Sequence, residues 1–330
     1  MRRTEDGTKM NLGLFTPVFG SLSLSEMLVE LKRYPQITSL ELGTGGWPGS
    51  SHVEVDKLLA SPAAAHEFTA RLKDAGLTIS ALSCHGNPVH PAPDIAKRDD
   101  QVFRKTVALA EILHVPVVVT FSGCPGGSPK DGTPNWITAA WPPEYVDALN
   151  WQWEERLIPY WREAESFVSD HGVQVALEAH PGFCVYNPET LLRLRKEAGK
   201  SIGINLDPSH LWWQGMDIPS AIAELGDSIY HVHAKDVALN PPAIARNGVI
   251  DTKSYLKMQE RAWTFRSVGW GHDALQWKMM ISALRLAGYD SVLSIEHEDA
   301  VASIHEGLQS CVNFLSPLIL REPPVQPWWV

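Results

Sequence analysis

Four short apolar runs in this chain each end on a side chain that can bind a metal ion. Runs of this kind, bounded by turn residues, are typical of buried strands in a parallel sheet. Because parallel strands end at the same edge of a sheet, we expect the four side chains to meet at one end of the fold. They are Glu178, Asp207, His233 and Glu296.

Apolar runs alternate with amphipathic helical patterns along the chain. Strands are predicted near residues 10–16, 37–42, 77–84, 115–121, 173–178, 202–207, 228–233 and 291–296. Helices are predicted over residues 23–33, 63–75, 95–113, 143–170, 188–198, 219–225, 274–287 and 303–315. Eight strands with eight helices are the count of a (β/α)8 TIM barrel, whereas a doubly wound sheet needs about five or six strands. The sequence therefore predicts a single TIM-barrel domain over residues 1–330.

Two connections that follow predicted strands are longer than the usual two to six residues. They cover residues 122–142 and 234–273. In a barrel both would lie on the C-terminal face, where long loops form lids and substrate walls. Residues 316–330 are predicted to form an extended tail.

The composition narrows the classes of function. Of the 330 residues, 44% are hydrophobic and 20% are charged, the balance of a globular protein with a full core. The net charge of -10 opposes a nucleic-acid partner, which would need clustered Lys and Arg. No run of about 18 apolar residues occurs and the first residues do not resemble a secretion signal, so we expect a cytoplasmic protein with no membrane partner. The four cysteines lack Cys-x-x-Cys spacing, which argues against a zinc ribbon or a disulfide framework.

The four strand-end side chains indicate one divalent metal ion. Three carboxylates and one imidazole form an oxygen-rich site, which suits Mn, Mg or Co better than the thiolate-rich sites of structural zinc. We predict Mn, with Mg or Co as alternatives.

His180 is the predicted base beside this ion. On a strand, residues i and i+2 point the same way, so His180 would face the barrel mouth together with Glu178. An ion bound to a carbonyl oxygen acidifies the neighbouring C–H bond, because it stabilises the negative oxygen that forms. His180 suits proton removal because the unperturbed pKa of imidazole is near neutral, and Glu178 and Glu296 are the other catalytic candidates.

Tryptophans in the predicted loops after strands could wall a flat group of the substrate, or they could serve loop packing and an oligomer interface. They are Trp47, Trp136, Trp141, Trp212, Trp213 and Trp270.

Several of these segments resemble the xylose-isomerase-like TIM barrels, the sugar isomerase and epimerase group. The segments are Leu-Glu-Ala-His at 177–180, Asn-Leu-Asp-Pro-Ser-His at 205–210, His-Val-His-Ala-Lys-Asp at 231–236 and Ser-Ile-Glu-His-Glu at 294–298. The resemblance implies that Glu178, Asp207, His233 and Glu296 bind one divalent cation. It also implies that His85 contacts the substrate. The other predicted substrate-binding residues are His210, Trp47, Lys235 and Arg266.

A narrower resemblance is to the large subunit of bacterial C-glycoside deglycosidases. It depends on residues 41–48, 83–88, 122–127 and 134–136. The resemblance implies cleavage of the carbon–carbon bond between a 3-oxo sugar and an aromatic aglycone. It also implies a small partner subunit, which the Trp328 and Trp329 tail would contact, and we expect an oligomer.

Three other readings stay open. Reprotonation of the carbanion would give a sugar isomerase or 3-epimerase, with Glu178 and Glu296 as bases on opposite faces, and Lys235, Lys253 and Arg266 could then bind a sugar phosphate. An apurinic-site endonuclease would share the Asp-x-x-His element but needs more ligands and a basic groove. A non-catalytic sugar-binding or scaffold barrel is the third alternative.

Overall fold

The barrel closes in the computed structural model, which describes residues 10–322 and 325–330. Its strands are β1 (Asn11–Phe15), β2 (Ile37–Gly43), β3 (Thr78–Ser83), β4 (Val117–Phe121), β5 (Gln174–Glu178), β6 (Ile202–Leu206), β7 (Ile229–Ala234), β8 (Asp236–Leu239), β9 (Trp263–Arg266) and β10 (Val292–Ile295). Eight of them form a closed barrel in the order β1-β10-β7-β6-β5-β4-β3-β2. All eight barrel pairs are parallel, so the predicted (β/α)8 fold is confirmed.

Helices cover the outside of the barrel. They are α1 (Leu24–Leu31), α2 (Val55–Ala60), α3 (Pro62–Asp74), α4 (Pro93–Leu113), α5 (Pro143–Trp151), α6 (Ile158–Asp170), α7 (Pro188–Ala198), α8 (Pro208–Trp213), α9 (Ile218–Leu225), α10 (Pro241–Asn247), α11 (Ala274–Leu286) and α12 (Ile304–Leu315). Several begin as the sequence indicates. For example, α7 starts with Pro188 after Asn187, whose side chain accepts a hydrogen bond from the Thr190 backbone N–H.

The strands are buried on both faces, which explains their unbroken apolar runs. Every residue of β4 and β6 is buried, because one face packs inside the barrel and the other packs under the helices. Trp161 and Trp277 fill the layer between barrel and helices and are fully buried. This rigid core fixes the positions at which the strands end.

The structure differs from the sequence prediction in two segments. The helix predicted over 143–170 is interrupted by a π-helical segment, Gln152–Leu157, between α5 and α6. The segment predicted as one long loop over 234–273 contains α10 and a two-stranded antiparallel sheet of β8 and β9. Residues 122–142, the other segment predicted as a long loop, carry no helix or strand. The predicted domain range 1–330 and tail 316–330 include residues 1–9 and 323–324, which lie outside the described part.

The structure bears on the cysteines and on the question of membrane-spanning helices. Each of the four cysteines is a free, buried thiol. Within residues 10–322 and 325–330, no helix has the length and apolar character that crossing a membrane requires.

Candidate functional site

The four predicted ligands lie together at the C-terminal end of the barrel. Glu178 ends β5, Asp207 directly follows β6, His233 lies in β7 and Glu296 directly follows β10. Each offers one ligand atom, and these atoms all lie within 4.8 Å of one another. The parallel barrel produces this arrangement because all its strands end at the same rim.

Three of these side chains point unpaired polar atoms into the cluster. Asp207 Oδ2, His233 Nδ1 and Glu296 Oε2 are buried, and none has a hydrogen-bond partner in the described part of the chain. His233 Nδ1 lies 2.8 Å from Glu296 Oε2, but without the geometry of a hydrogen bond. Buried polar atoms without partners are costly, and a bound cation would satisfy all three at once. The donor set of three carboxylates and one imidazole fits a hard divalent ion.

Asp207 is held with one oxygen free. Its Oδ1 caps the start of α8 by accepting a hydrogen bond of 2.8 Å from the Ser209 backbone N–H. Burial raises the pKa of the Asp207 carboxyl, opposed by the positive charges of His210 and Lys235 and assisted by Glu296 and Glu178. The surroundings of Asp207 therefore disfavour its charged form, which a bound cation would stabilise.

Glu41 in β2 lies beneath the ligand cluster and was not among the predicted site residues. Its carboxylate accepts hydrogen bonds from His233 Nε2 at 3.0 and 3.1 Å, from His231 Nε2 at 2.9 Å and from Ser294 Oγ at 2.7 Å. Ser83 Oγ is a fourth donor. Burial alone would raise the pKa of Glu41, but the positive charges and hydrogen bonds of His233 and His231 lower it well below its usual range.

A signal for Glu41 is present in the sequence. This glutamate stands between Leu40 and Leu42 in an otherwise apolar strand, and a buried acid in that position needs partners. Three of the four partners could not be predicted, since His231, His233 and Ser294 come from β7 and β10, which do not neighbour β2 in the barrel.

Lys235 is a buried cation at the edge of the cluster. Its Nζ lies 2.6 Å from Glu298 Oε2, 3.1 Å from Glu296 Oε1 and 3.7 Å from Asp207 Oδ2. It also lies 4.2 Å from the centre of the Phe265 ring. Burial would lower the pKa of Lys235, but Glu296 and Glu298 raise it well above its usual value. The side chain is therefore charged and pairs with carboxylates.

The predicted base His180 lies beside the cluster. Its Nδ1 donates to the Pro181 carbonyl oxygen at 2.6 Å, because a carbonyl can only accept, so Nε2 carries the lone pair. The rings of His180 and His210 are 4.1 Å apart. Burial lowers the pKa of His180 to about 3, with a further contribution from His210, so this imidazole is neutral at neutral pH. The near-neutral pKa expected from the sequence is that of an unperturbed imidazole, and burial accounts for the difference.

A cavity of about 650 Å³ opens above the cluster, within the size range of small-molecule sites. It is lined by Phe15, Pro17, Trp47, Pro48, His85, Phe121, Glu178, His180, Phe183, Lys235, Tyr255, Phe265, Glu296 and Glu298. His85 reaches the floor, where its Nε2 donates to Glu178 Oε2 at 3.0 Å. The predicted substrate contacts His85, Trp47 and Lys235 therefore all line this cavity.

Trp47 stands at the mouth on a loop that the backbone fixes. Its side chain is 84% exposed, and its backbone N–H donates to the His85 carbonyl at 2.9 Å. The preceding Gly46 has φ of 66°, and a Cβ there would collide with the His85 carbonyl oxygen. The loop therefore holds an exposed indole in a defined position.

Two other predicted substrate contacts do not line the cavity. His210 lies behind the floor, with Nε2 3.4 Å from both Glu178 Oε1 and Asp207 Oδ2. Arg266 points away and pairs with Asp299 at 3.2 Å. The sequence does not predict this, because Arg266 lies in the sheet of β8 and β9.

Of the six loop tryptophans, Trp47 alone is among the described residues that line the cavity. Trp212 stacks on His272 at 3.8 Å and Trp213 stacks on Trp263 at 4.7 Å, so both serve packing. The aromatic walls are instead formed by Phe15, Phe121, Phe183, Tyr255 and Phe265.

Comparison with known proteins identifies the family. The model of the xylose isomerase-like TIM barrel matches residues 38–315 of this chain. The chain belongs to this family. The predicted family is thereby confirmed, and the closed parallel barrel agrees with it. Among curated relatives of this barrel, the uncharacterized protein YfiH of Bacillus subtilis (strain 168) is 40% identical over 313 residues. That match covers 94% of this chain and 99% of the relative.

Solved structures of the same fold carry several activities. The probable 3-DHS dehydratase AsbF from Bacillus anthracis superposes with a TM-score of 0.64 at 17% identity, covering 93% of this chain and 99% of that one. D-psicose 3-epimerase from Clostridium cellulolyticum H10, solved with D-tagatose, gives 0.58 at 13% identity, covering 94% and 98%. At these identities the likeness shows the barrel fold alone.

Proposed function

We propose that this barrel is a divalent-metal-dependent enzyme that removes a proton next to the carbonyl of a keto-sugar. The observation that carries the proposal is the convergence of three unpaired ligand atoms and Glu178 on one point at the floor of the cavity. The reaction we favour is cleavage of the carbon–carbon bond of a 3-oxo-C-glycoside by elimination.

The residues that would hold the ion are Glu178, Asp207, His233 and Glu296, with Mn as the favoured metal and Mg or Co as alternatives. When bound, the ion supplies stabilisation of the negative charge that develops on the sugar oxygen. The protein contributes the fixed positions of these ligands at the barrel rim.

Proton removal is assigned to His180 on geometric grounds. The ring lines the cavity, and its Nδ1 proton is engaged by Pro181, so the Nε2 lone pair is available. Glu178 and Glu296 are the alternative bases, since both also line the cavity.

The proposed elimination breaks one C–H bond and one C–C bond and needs no oxidant or reductant. The base takes the proton from C2, and the electrons of that C–H bond form a double bond between C1 and C2. The bond between C1 and the aryl carbon breaks, its electron pair stays on the aryl group, and that carbon takes a proton from water. The products are an unsaturated 3-oxo sugar and the free aglycone.

The cavity walls support a substrate with an apolar, flat group. Six aromatic side chains surround the space above the polar floor, and aromatic faces bind planar rings by stacking and edge contacts. The exposed position of Trp47 extends this surface beyond the floor toward solvent.

The charges of the cavity argue against a phosphorylated sugar. Among the described lining residues Lys235 is the one cation, and Glu296 and Glu298 already pair with it. A phosphate entering the cavity would lie near three carboxylates without a free basic side chain. Arg266 is paired with Asp299 and Lys253 with Asp251, so neither is free to serve.

A second candidate is a 3-epimerase or isomerase for an unphosphorylated keto-sugar. Glu178 and Glu296 line the same cavity from different strands, β5 and β10, so two carboxylates can approach one sugar carbon from two directions. The epimerase with the same fold makes this outcome chemically reasonable.

The partner predictions remain proposals. We infer a cytoplasmic oligomer with a small partner subunit, and the exposed Trp328 and Trp329 offer apolar surface for such contacts. A non-catalytic role is disfavoured because the ligand cluster lies at the floor of a cavity rather than in a packed core.

The deciding experiment compares the Mn²⁺-loaded protein with its Asp207→Asn variant on two kinds of substrate. One is a 3-oxo-C-glycoside, with and without a genomically adjacent small protein; the other is a set of free ketohexoses in D2O. Aglycone release by the wild type but not by Asp207→Asn selects elimination. Deuterium incorporation into a ketose by the wild type but not by the variant selects epimerisation or isomerisation. If the wild type catalysed neither reaction on either substrate class, the proposed function would be refuted.

A further inference from the structure

We propose that Glu41 is a positioning residue that holds the Nε2–H tautomer of His233 and thereby makes Nδ1 the metal-binding atom. The inference rests on the metal site of the proposed function. Glu41 is fully buried on β2 and contacts Nε2 of His233, whereas Nδ1 of His233 faces the ligand cluster.

The tautomer follows from the hydrogen bonds. The Nε2 atom of His233 lies 3.0 and 3.1 Å from the two oxygens of Glu41, and an ionised carboxylate can only accept. Nε2 must therefore carry a proton. When the ring is neutral, as a metal ligand must be, its lone pair then belongs to Nδ1, which faces Glu296 at 2.8 Å and Glu178 at 3.6 Å.

The opposite tautomer is the competitor that Glu41 excludes. A proton on Nδ1 would point at Glu296 and fill the position that the cation needs. It would also leave the Nε2 lone pair against the Glu41 carboxylate, which is repulsive in a buried site. A carboxylate on the far side of a ligating imidazole fixes the ring in this way, and its loss typically costs about 10- to 100-fold in metal affinity.

Glu41 is itself held in place by three donors besides His233. Ser83, Ser294 and His231 donate to its oxygens, so with His233 the carboxylate has four donors. Four donors match the acceptor capacity of a carboxylate. Glu41, His231 and His233 also come within 4.8 Å of one another, but these hydrogen bonds make the trio a network rather than a second ion site.

The test is the Mn²⁺ affinity of Glu41→Gln measured by calorimetry. A glutamine keeps the shape of the side chain, but His233 Nε2 would face an amide oxygen and an amide N–H instead of two carboxylate oxygens. The Nε2–H group would then no longer donate to a charged acceptor. We expect binding about 10- to 100-fold weaker than in the wild type. The control is Glu165→Gln, the same substitution at a carboxylate that accepts from the Ser201 backbone N–H at 3.1 Å, just before β6 begins and so at the opposite end of the barrel; it should change the affinity less than about two-fold.

A second measurement needs no variant. In the Mg²⁺-loaded wild type, ¹⁵N spectra of the histidines should show His233 protonated at Nε2 and bare at Nδ1. Protonation at Nδ1, or equal affinity of Glu41→Gln and wild type, would overturn the role of Glu41. If the wild type bound no divalent ion, the proposed function would fail instead, so the two failures are distinguishable.

Discussion

At the scale of single residues, the site is defined by which atoms have partners and which do not. Asp207 uses Oδ1 to cap α8 and leaves Oδ2 free, and His233 uses Nε2 for Glu41 and leaves Nδ1 free. In each case a hydrogen bond on one side directs the unused atom toward the same point. In these two ligands one polar atom orients the side chain and the other is left for the cation.

The first prediction concerns Asp207→Asn. The amide keeps the size of the side chain and removes a ligand charge, so we expect Mn²⁺ affinity to fall more than about 100-fold, beyond the loss typical of an outer partner. Burial raises the pKa of the Asp207 carboxyl, so its charge destabilises the metal-free fold at neutral pH. The metal-free variant should therefore melt at the same temperature as the wild type or higher, as measured by calorimetry. A lower melting temperature with unchanged affinity would contradict both expectations.

The second prediction concerns Trp47→Ala. Because Trp47 lines the cavity and is 84% exposed, we expect kcat/KM to fall about 10-fold, mostly through KM, with the free energy of unfolding unchanged within about 0.5 kcal/mol. The matched control is Trp141→Ala, since Trp141 is 78% exposed and is not among the lining residues. Equal effects of the two variants would remove Trp47 from the substrate site.

Individual ligands could be predicted from the sequence, whereas their supports could not. Glu178 and Glu296 are recognisable because each ends an apolar run, and strand ends meet in any parallel barrel. Glu41 lies within its strand, and its partners depend on the register of β2 against strands remote in the chain. Trp212 and Trp213 follow β6 as expected, but their stacking on His272 and Trp263 depends on a loop fold that no local pattern encodes.

At the scale of elements, the long connection after β7 is held by one buried carboxylate. Asp236 Oδ2 accepts from the backbone N–H groups of Gly269, Gly271 and His272 at 2.9, 3.1 and 3.1 Å. It thereby ties the β8 and β9 sheet, which carries Phe265 of the cavity wall, to the start of α11. The sequence predicted the length of this connection but missed its sheet, because the strands are only four residues long.

The third prediction tests this anchor. Asp236→Asn should lower the free energy of unfolding by about 2 to 4 kcal/mol, because a buried carboxylate with several donors is replaced by a neutral acceptor with its own unneeded donor. Urea unfolding measures the loss. Asp56→Asn is the control, since Asp56 pairs with Lys105 on the surface and should change stability little. A similar small effect for both variants would show that Asp236 does not anchor the connection.

At the scale of the whole molecule, barrel closure assembles the site. β5, β6, β7 and β10 are distant in sequence yet follow one another around the barrel, and each contributes one ligand at its end. The clustered carboxylates repel one another, and Lys235 offsets only part of that repulsion. The fold therefore holds negative charge together that a cation would neutralise.

The fourth prediction follows from that charge. A divalent ion that binds the folded chain alone stabilises it by about 2.7 kcal/mol when its free concentration is 100 times Kd. The melting temperature should therefore rise with added Mn²⁺ and return to its starting value with a chelator. The Asp207→Asn variant should show no rise at the same concentrations, and a rise equal to that of the wild type would place the ion elsewhere.

The most direct test of the central claim is anomalous diffraction at the manganese edge from Mn²⁺-soaked crystals. We predict a single strong peak about 2.0 to 2.3 Å from Glu178, Asp207, Glu296 and Nδ1 of His233. A peak beside Glu41 and Nε2 of His233, or no peak in the cluster at all, would contradict the claim.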